Sequence, residues 1–149
     1  MQTSRNLRAV AVCTALLFLA ACKTQPETKA DEPAPTAEES SAVAACTQSM
    51  TRARACTDAF IPTLVAARVR LDRPSGIAKS DSENGREALI DGAKTEWTRD
   101  SQDDVIASRC DAIAKQAPPE MMKAVNDCLT KQSCEDYVNC YVPVLEPTL

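Results

Sequence analysis

Cys110-Asp-Ala-Ile-Ala-Lys-Gln-Ala-Pro-Pro-Glu-Met-Met-Lys-Ala-Val-Asn-Asp-Cys128 places two cysteines at equal distances from the second of two adjacent prolines. On both sides of the prolines, apolar residues recur every three or four positions, which predicts two helices. Pro118-Pro119 forces a turn, and proline is well accommodated in the first turn of the helix that follows. A helical hairpin folded at this turn would bring Cys110 and Cys128 opposite one another. The stretch therefore predicts helices that are joined by disulfide bonds.

Helical periodicity continues through residues 42–149, where no alternating strand pattern occurs. We expect an all-α domain, a small bundle of four or five short helices. Residues 81–85 have the composition of a loop. The first predicted helix begins after Ser41 and is kinked or broken at Pro62. The second is Arg86–Trp97, and the third begins at Ser101, with Asp104 three residues further on. The fourth begins at the proline pair, and the last begins at Ser133 and ends at Pro143.

The N-terminal residues have the pattern of a secretory signal peptide. Residues 1–8 carry Arg5 and Arg8 and no acid, and residues 9–21 are apolar except for Thr14. A run of this length is too short for a spanning helix, which needs about 20 residues. We therefore expect residues 1–21 to be a leader.

Leu19-Ala20-Ala21-Cys22 resembles the lipobox of bacterial lipoproteins. The resemblance implies that Cys22 is acylated, becomes the first residue of the mature chain and holds the protein to a lipid bilayer. Two or three acyl chains anchor a protein durably, whereas one does not. Lys23 stands where an aspartate favours retention in the inner membrane, so the expected location is the cell envelope, at the outer membrane.

Residues 22–41 are predicted to be a disordered tether between this anchor and the domain of residues 42–149. The segment contains three prolines and five acids, and after Cys22 it has no apolar residue larger than alanine. Such a composition buries too little apolar surface to offset the entropy lost on ordering.

Six cysteines remain once Cys13 and Cys22 are assigned to the leader and the anchor. An even number in a small exported domain predicts three disulfides. Cys46 and Cys56 would be about 15 Å apart on one continuous helix, and a disulfide needs Cα atoms within about 7 Å. Beside the hairpin pair, the expected disulfides join the first helix to the last, as Cys46–Cys140 and Cys56–Cys134.

Charge is distributed unevenly along the chain. The net charge is −4, and removal of the leader would make it −6. Nucleic-acid binding requires clustered Lys and Arg, so an acidic chain with no basic arm is not expected to bind nucleic acid. Residues 42–73 are nevertheless basic. Two interpretations stay open: this segment packs against the acidic remainder, or its arginines form a face for an anionic partner. The arginines concerned are Arg52, Arg54, Arg68 and Arg70.

The residue types needed for several chemistries are missing. The chain has no histidine, which excludes the usual Ser-His-Asp and Cys-His machinery and any zinc site with histidine ligands. It also has no CxxC motif. The acid pairs Asp103-Asp104 and Glu135-Asp136 fall in predicted first helical turns, where carboxylates favourably meet the helix dipole. We therefore expect no enzyme, no cofactor and no metal.

The stretch Cys134-Glu-Asp-Tyr-Val-Asn-Cys140, followed by Pro143, resembles the C-terminal part of small cysteine-rich helical lipoproteins of myxobacteria. The resemblance implies a structural class and no activity. The leading functional hypothesis is a lipoprotein that binds another envelope protein as an assembly or anchoring subunit of secretion, motility or surface machinery. The alternatives are a binder of a small ligand or anionic cell-wall polymer, and an inhibitor or toxin-like effector.

Overall fold

Seven α-helices and one 3₁₀ turn make up residues 36–149, the part of the chain that this computed structural model describes. In chain order they are α1 Ala37–Ala55, α2 Thr57–Leu71, α3 Ile77–Asn84, α4 Arg86–Asp100, α5 Asp103–Ala114, α6 Pro119–Leu129 and α7 Cys134–Leu145, followed by the turn Glu146–Thr148. No strand occurs between residues 36 and 149. The all-α prediction is confirmed, and the helices outnumber the four or five expected.

Helix α1 extends five residues into the segment that was predicted to be tether. Thr36 caps the helix: its hydroxyl accepts a 3.2 Å hydrogen bond from the backbone N–H of Glu39. Glu38 and Glu39 lie in the first turn, where they complement the positive end of the helix dipole. These polar contacts support a helix start that has no apolar stripe. The leader, Cys22 and the rest of the predicted tether lie outside the described residues.

The break between α1 and α2 falls at Cys56, whereas the sequence predicts it at Pro62. Pro62 lies inside α2, which continues through it. At the break, the Thr57 hydroxyl donates a 2.6 Å hydrogen bond to the carbonyl oxygen of Arg54. Cys56 itself is bonded to Cys134 of α7. Tertiary contacts therefore set the break, and local composition gives no sign of it.

Helix α3 includes residues 81–84, which were predicted to be loop. The loop prediction for residues 81–85 was therefore wrong except at Gly85. Asp72 anchors the start of this helix, because its carboxylate accepts hydrogen bonds from the N–H groups of Gly76 (2.9 Å) and Ala78 (3.1 Å). Gly85 has φ +84°, a conformation that glycine adopts without steric cost, and it separates α3 from α4. No residue of α3 is buried. The helix therefore lacks the apolar periodicity that would have predicted it.

Three later helices begin where the sequence predicts. Helix α4 starts at Arg86, and α6 starts with Pro119 in its first position. Ser133 caps α7: its hydroxyl accepts a 3.0 Å hydrogen bond from the N–H of Asp136. The proline turn and this capping pattern are local signals, and both were interpreted correctly.

Two predicted helix limits were wrong. Ser101 does not cap α5; it ends α4, where its N–H donates a 2.9 Å hydrogen bond to the Trp97 carbonyl, and Gln102 precedes α5 instead. Pro143 does not stop α7, which continues to Leu145. Proline removes only one backbone donor, and the helix remains in place because Tyr141 and Val142, which precede Pro143, are buried in the core.

Two apolar clusters form the core, and α6 contributes to both. The larger cluster contains Ala53, Cys56, Phe60, Ile61, Leu64, Val65, Ala67, Val125, Cys128, Tyr137, Val138, Tyr141 and Val142. The smaller cluster contains Ala45, Cys46, Ile106, Cys110 and Met122. The larger cluster rests mainly on α2 and α7, and the smaller one rests on α1 and α5.

Three disulfides connect these elements, and all six cysteines that were predicted to be bonded take part. They are Cys46–Cys110, Cys56–Cys134 and Cys128–Cys140, with Cα–Cα distances of 5.5, 5.3 and 5.5 Å. The first lies in the smaller cluster, and the other two tie α7 to the α1–α2 junction and to α6.

The expected pairing was right for Cys56–Cys134 and wrong for the other two bonds. Cys110 pairs with Cys46 and not with Cys128, because α5 and α6 each pack against α1 more extensively than against one another. Cys128 instead meets Cys140 of α7. Equal distance from a turn sets the level of two residues along a hairpin, whereas the rotation of each helix about its axis sets which neighbour a side chain faces.

Candidate binding cleft

An apolar cleft of about 220 Å³ lies between the two core clusters. It is lined by Phe60 and Leu64 of α2, by Met50 of α1 and by Met122 of α6. Trp97 of α4 also lines it. Small-molecule sites in proteins are concave and mostly apolar, so this cleft is the first candidate for a binding site.

A more open groove of about 530 Å³ adjoins the cleft. The two share the side chains of Ile113, Met121, Leu145 and Thr148. None of the side chains that line the groove carries a charge. The groove therefore offers an uncharged, apolar surface beside the cleft.

Ile113 links the groove to the smaller cluster. Ile106 and Cys110 precede it on the same stripe of α5 and are 1% and 0% exposed, whereas Ile113 is 39% exposed. Between residues 36 and 149, it is the one large hydrophobic side chain that is exposed. The apolar stripe of α5 thus emerges from the core at the C-terminal end of the helix.

Two guanidinium groups line the cleft. Arg68 lies one turn after Leu64 on α2, and Arg109 lies one turn before Ile113 on α5. Arg109 pairs with Asp100 at 2.9 Å, and its hydrogen bond holds the pKa of that carboxyl below the usual range. Arg68 forms no ion pair with the described residues. The cleft therefore combines an apolar lining with available positive charge.

Arg52 does not belong to this cleft. Its guanidinium donates hydrogen bonds to the carbonyl oxygen of Leu129 (2.7 Å), the last residue of α6, and to those of Lys131 and Gln132 (3.2 Å), which follow the helix. It also lies 4.7 Å above the ring of Tyr137. Carbonyl groups at a helix end lack partners within the helix, so a cation there stabilises it. Arg52 therefore joins α1 to the segment between α6 and α7.

Arg54 and Arg70 also bind within the domain. Arg54 donates to the Ser101 carbonyl at 2.6 Å and pairs with Asp103 at 2.7 Å. Arg70 pairs closely with Glu146 beside the C-terminal turn. The four arginines that one of the two interpretations placed on a single face are thus divided: Arg52, Arg54 and Arg70 contact other segments, as the packing interpretation expects, and Arg68 lines the cleft.

A buried hydroxyl network connects α1 and α7. Tyr137 donates a 2.7 Å hydrogen bond to the Ser49 carbonyl oxygen. The Ser49 hydroxyl donates to the Cys46 carbonyl oxygen at 2.8 Å, and its oxygen lies 3.3 Å from the hydroxyl oxygen of Tyr141. Burial raises the pKa of both tyrosines. These hydroxyls therefore stay neutral and hold the core together.

The acid pairs singled out in the sequence lie at helix starts. Asp103 is engaged by Arg54, and Asp136 accepts a 2.8 Å hydrogen bond from the Ser133 hydroxyl in the cap of α7. Within residues 36–149, no group of three or more histidine, cysteine or acidic side chains could hold a metal ion. The apolar lining of the cleft and its two arginines, Arg68 and Arg109, can instead bind apolar and anionic groups.

Arg109, Met121 and Leu145 are among the residues that line the cleft and were not identified from the sequence. Arg109 lies in the acidic half of the chain, where its charge did not stand out. Met121 precedes Met122, which is buried in the smaller cluster, and Leu145 lies beyond Pro143, where α7 was expected to have ended. Only the extension of α7 through Pro143 brings Leu145 to the rim.

No helix of residues 36–149 has both the length and the apolar character needed to cross a membrane. Comparison of the chain with protein-family models, with curated proteins and with solved structures found no match.

Proposed function

We propose that this chain is a lipid-anchored, non-enzymatic interaction subunit of a bacterial envelope complex. Cys22 would hold it to the outer membrane, and the disulfide-bonded domain would bind another envelope protein. The observation that carries the proposal is the uncharged groove around Ile113, Met121 and Leu145. Within the described domain, this is where a large apolar side chain is left open to solvent.

The chemistry of the groove indicates an apolar partner surface. Its lining has no charged side chain to attract an ionic group. Exposed apolar surface that borders a cavity is typical of interaction sites. Methionine side chains such as Met121 adapt to the shape of a bound surface. The surface that fits best is the apolar face of a helix, whose side chains at every third or fourth position would enter the groove around Ile113.

The rest of the domain supports a binding role over a catalytic one. The chain has no histidine, and all six cysteines of the described domain are in disulfides. Three disulfides keep the groove-forming helices fixed relative to one another, which lowers the entropic cost of binding. The polar segment that follows Cys22 would hold this rigid domain away from the bilayer.

Site-specific photo-crosslinking of the full-length protein in living cells tests the proposal. A photoreactive amino acid at Ala112, an exposed residue of the groove, should capture one envelope protein. The same photoreactive residue at Asp91, which is exposed on α4 and is not part of the groove lining, is the matched control and should not capture it. Ile113→Glu should remove the adduct, because a charge in the groove cannot be desolvated without cost. An adduct that also forms from Asp91, or that survives Ile113→Glu, would contradict the proposed groove.

A further inference from the structure

We infer that the cleft between the two core clusters binds a single-chain amphiphile with an anionic headgroup, the apolar chain lying between Met50 and Leu64 and the headgroup at Arg68 and Arg109. The cleft adjoins the groove proposed above for the protein partner and shares lining side chains with it, but this inference does not rest on that partner. The shared chemistry is a carboxylate or phosphate on one acyl or alkyl chain.

The lining of the cleft accounts for the apolar chain. Side chains from both core clusters face the same space of about 220 Å³. A methylene group has about the size of a water molecule, about 30 Å³, so the cleft holds about seven of them. A longer chain can extend into the adjoining groove past Ile113 and Met121, which line both spaces.

The polar side chains of the lining, other than the arginines, already have partners within the protein. The Trp97 ring N–H donates to the Thr57 hydroxyl at 3.1 Å, and the Ser49 hydroxyl is shared between Cys46 and Tyr141. The Thr148 hydroxyl donates to the Leu145 carbonyl at 2.7 Å. A neutral polar ligand would therefore find few free groups in this cleft.

The two arginines supply the remaining polar groups. Arg68 forms no ion pair with the described residues, and the only ion pair that Arg109 forms with them is the partly exposed one with Asp100. A guanidinium group presents five N–H donors in a planar fork that matches a carboxylate or a phosphate. Each arginine is one helical turn from an apolar lining residue, Leu64 or Ile113. An anionic head next to an apolar chain is the ligand geometry that satisfies both features.

Binding of decanoate to the full-length chain carrying Cys22→Ser tests this inference. Trp97 is the only tryptophan of the chain and lines the cleft, so its fluorescence should change saturably, with one decanoate bound per chain by calorimetry. Arg68→Gln and Arg109→Gln should each weaken binding about tenfold, because each removes charge-assisted hydrogen bonds to the headgroup. Decyltrimethylammonium, which has the same chain and the opposite charge, should bind at least about tenfold more weakly than decanoate.

Arg99→Gln is the matched control, since Arg99 is exposed on α4, contacts the same Asp100 and does not line the cleft. It should leave the affinity within about twofold, and circular dichroism should show that all three variants are folded. Monodecyl phosphate in parallel distinguishes the headgroup sources: tighter binding of decanoate indicates a fatty acid, and tighter binding of the phosphate indicates a lipid phosphate. The inference is overturned if neither anion binds saturably, or if anion and cation bind equally and Arg68→Gln has no effect.

Discussion

The hydroxyl of Tyr137 on α7 donates a 2.7 Å hydrogen bond to the backbone carbonyl oxygen of Ser49 on α1, and both residues are almost completely excluded from solvent. The two positions are 88 residues apart in the chain. A buried hydrogen bond of this kind is stabilising only while both partners remain, since an unpaired polar group in the core has lost its hydration. The bond therefore fixes the position of α7 along α1.

Tyr137→Phe should lower the free energy of unfolding by about 1–2 kcal/mol, because it removes the donor and leaves the ring in place. Urea unfolding followed by circular dichroism measures the change. Tyr141→Phe is the matched control on the same helix: its hydroxyl makes only a longer contact, 3.3 Å, with the hydroxyl of Ser49, which keeps the Cys46 carbonyl as a partner. Its effect should be smaller. An equal decrease in the free energy of unfolding for the two variants would show that the bond from Tyr137 to the Ser49 carbonyl is no more stabilising than the contact of Tyr141.

Alkaline pH should destabilise the domain through the same two phenols. Burial raises the pKa of Tyr137 and Tyr141 in the folded state, while an unfolded tyrosine ionises near pH 10. The folded protein therefore holds these protons more tightly, so their contribution is fully present below pH 10 and is lost as the pH rises above it. Above pH 10, each of the two phenols should add up to about 1.4 kcal/mol per pH unit to the decrease in the free energy of unfolding. Unfolding curves at pH 9, 10 and 11 should show a shallower loss for Tyr137→Phe, and parallel curves would rule out this coupling.

Local signals predicted some elements of this fold and tertiary contacts decided others. The cap at Ser133 and the proline turn before Pro119 act within one or two helical turns, so the sequence shows them directly. The break at Cys56 depends on a bond to Cys134, 78 positions away, and no local residue announces it. Helix α3 buries nothing, so periodicity has no information about it. The cleft depends on how the helices are rotated about their axes, which helical spacing alone does not determine.

Cys22→Ser should abolish acylation if the lipobox resemblance holds. Cells labelled with a fatty-acid probe should incorporate it into the unmodified protein and not into the variant, and the variant should no longer partition with membranes. The reason is that two or three acyl chains are needed for durable anchoring, and Cys22 would carry all of them. Cys13→Ser is the matched control, because that cysteine lies within the predicted leader and should not affect labelling. Wild-type labelling of Cys22→Ser would contradict the lipoprotein hypothesis.

Arg52→Gln should destabilise the domain more than Arg70→Gln. Arg52 donates to three backbone carbonyls and lies over the Tyr137 ring, so its loss should cost about 2 kcal/mol. Arg70 has one exposed ion pair, with Glu146, which is worth about 1 kcal/mol or less. Denaturant unfolding of the two variants measures the difference. If Arg52 were instead part of a free anion-binding face, both variants would unfold like the wild type.

The disulfides should differ in their contribution according to the length of chain that each closes. Cys46–Cys110 spans 64 positions and Cys128–Cys140 spans 12, and loop-closure entropy assigns them about 4 and about 3 kcal/mol. Replacing both cysteines of each bond by alanine should therefore lower the unfolding midpoint more for the first pair. Guanidinium chloride unfolding under non-reducing conditions measures both variants.

The connectivity itself is tested by mapping the unreduced protein. Trypsin cuts between Cys110 and Cys128 and again after Lys131, and a glutamate-specific protease cuts after Glu135, which separates Cys134 from Cys140. The digest should yield three linked species that correspond to the three bonds of the structure. A peptide that joins Cys110 to Cys128 would restore the simple hairpin that the proline pair suggests. It would also contradict the packing of α5 on α1, because Cys110 cannot face Cys46 and Cys128 in the same fold.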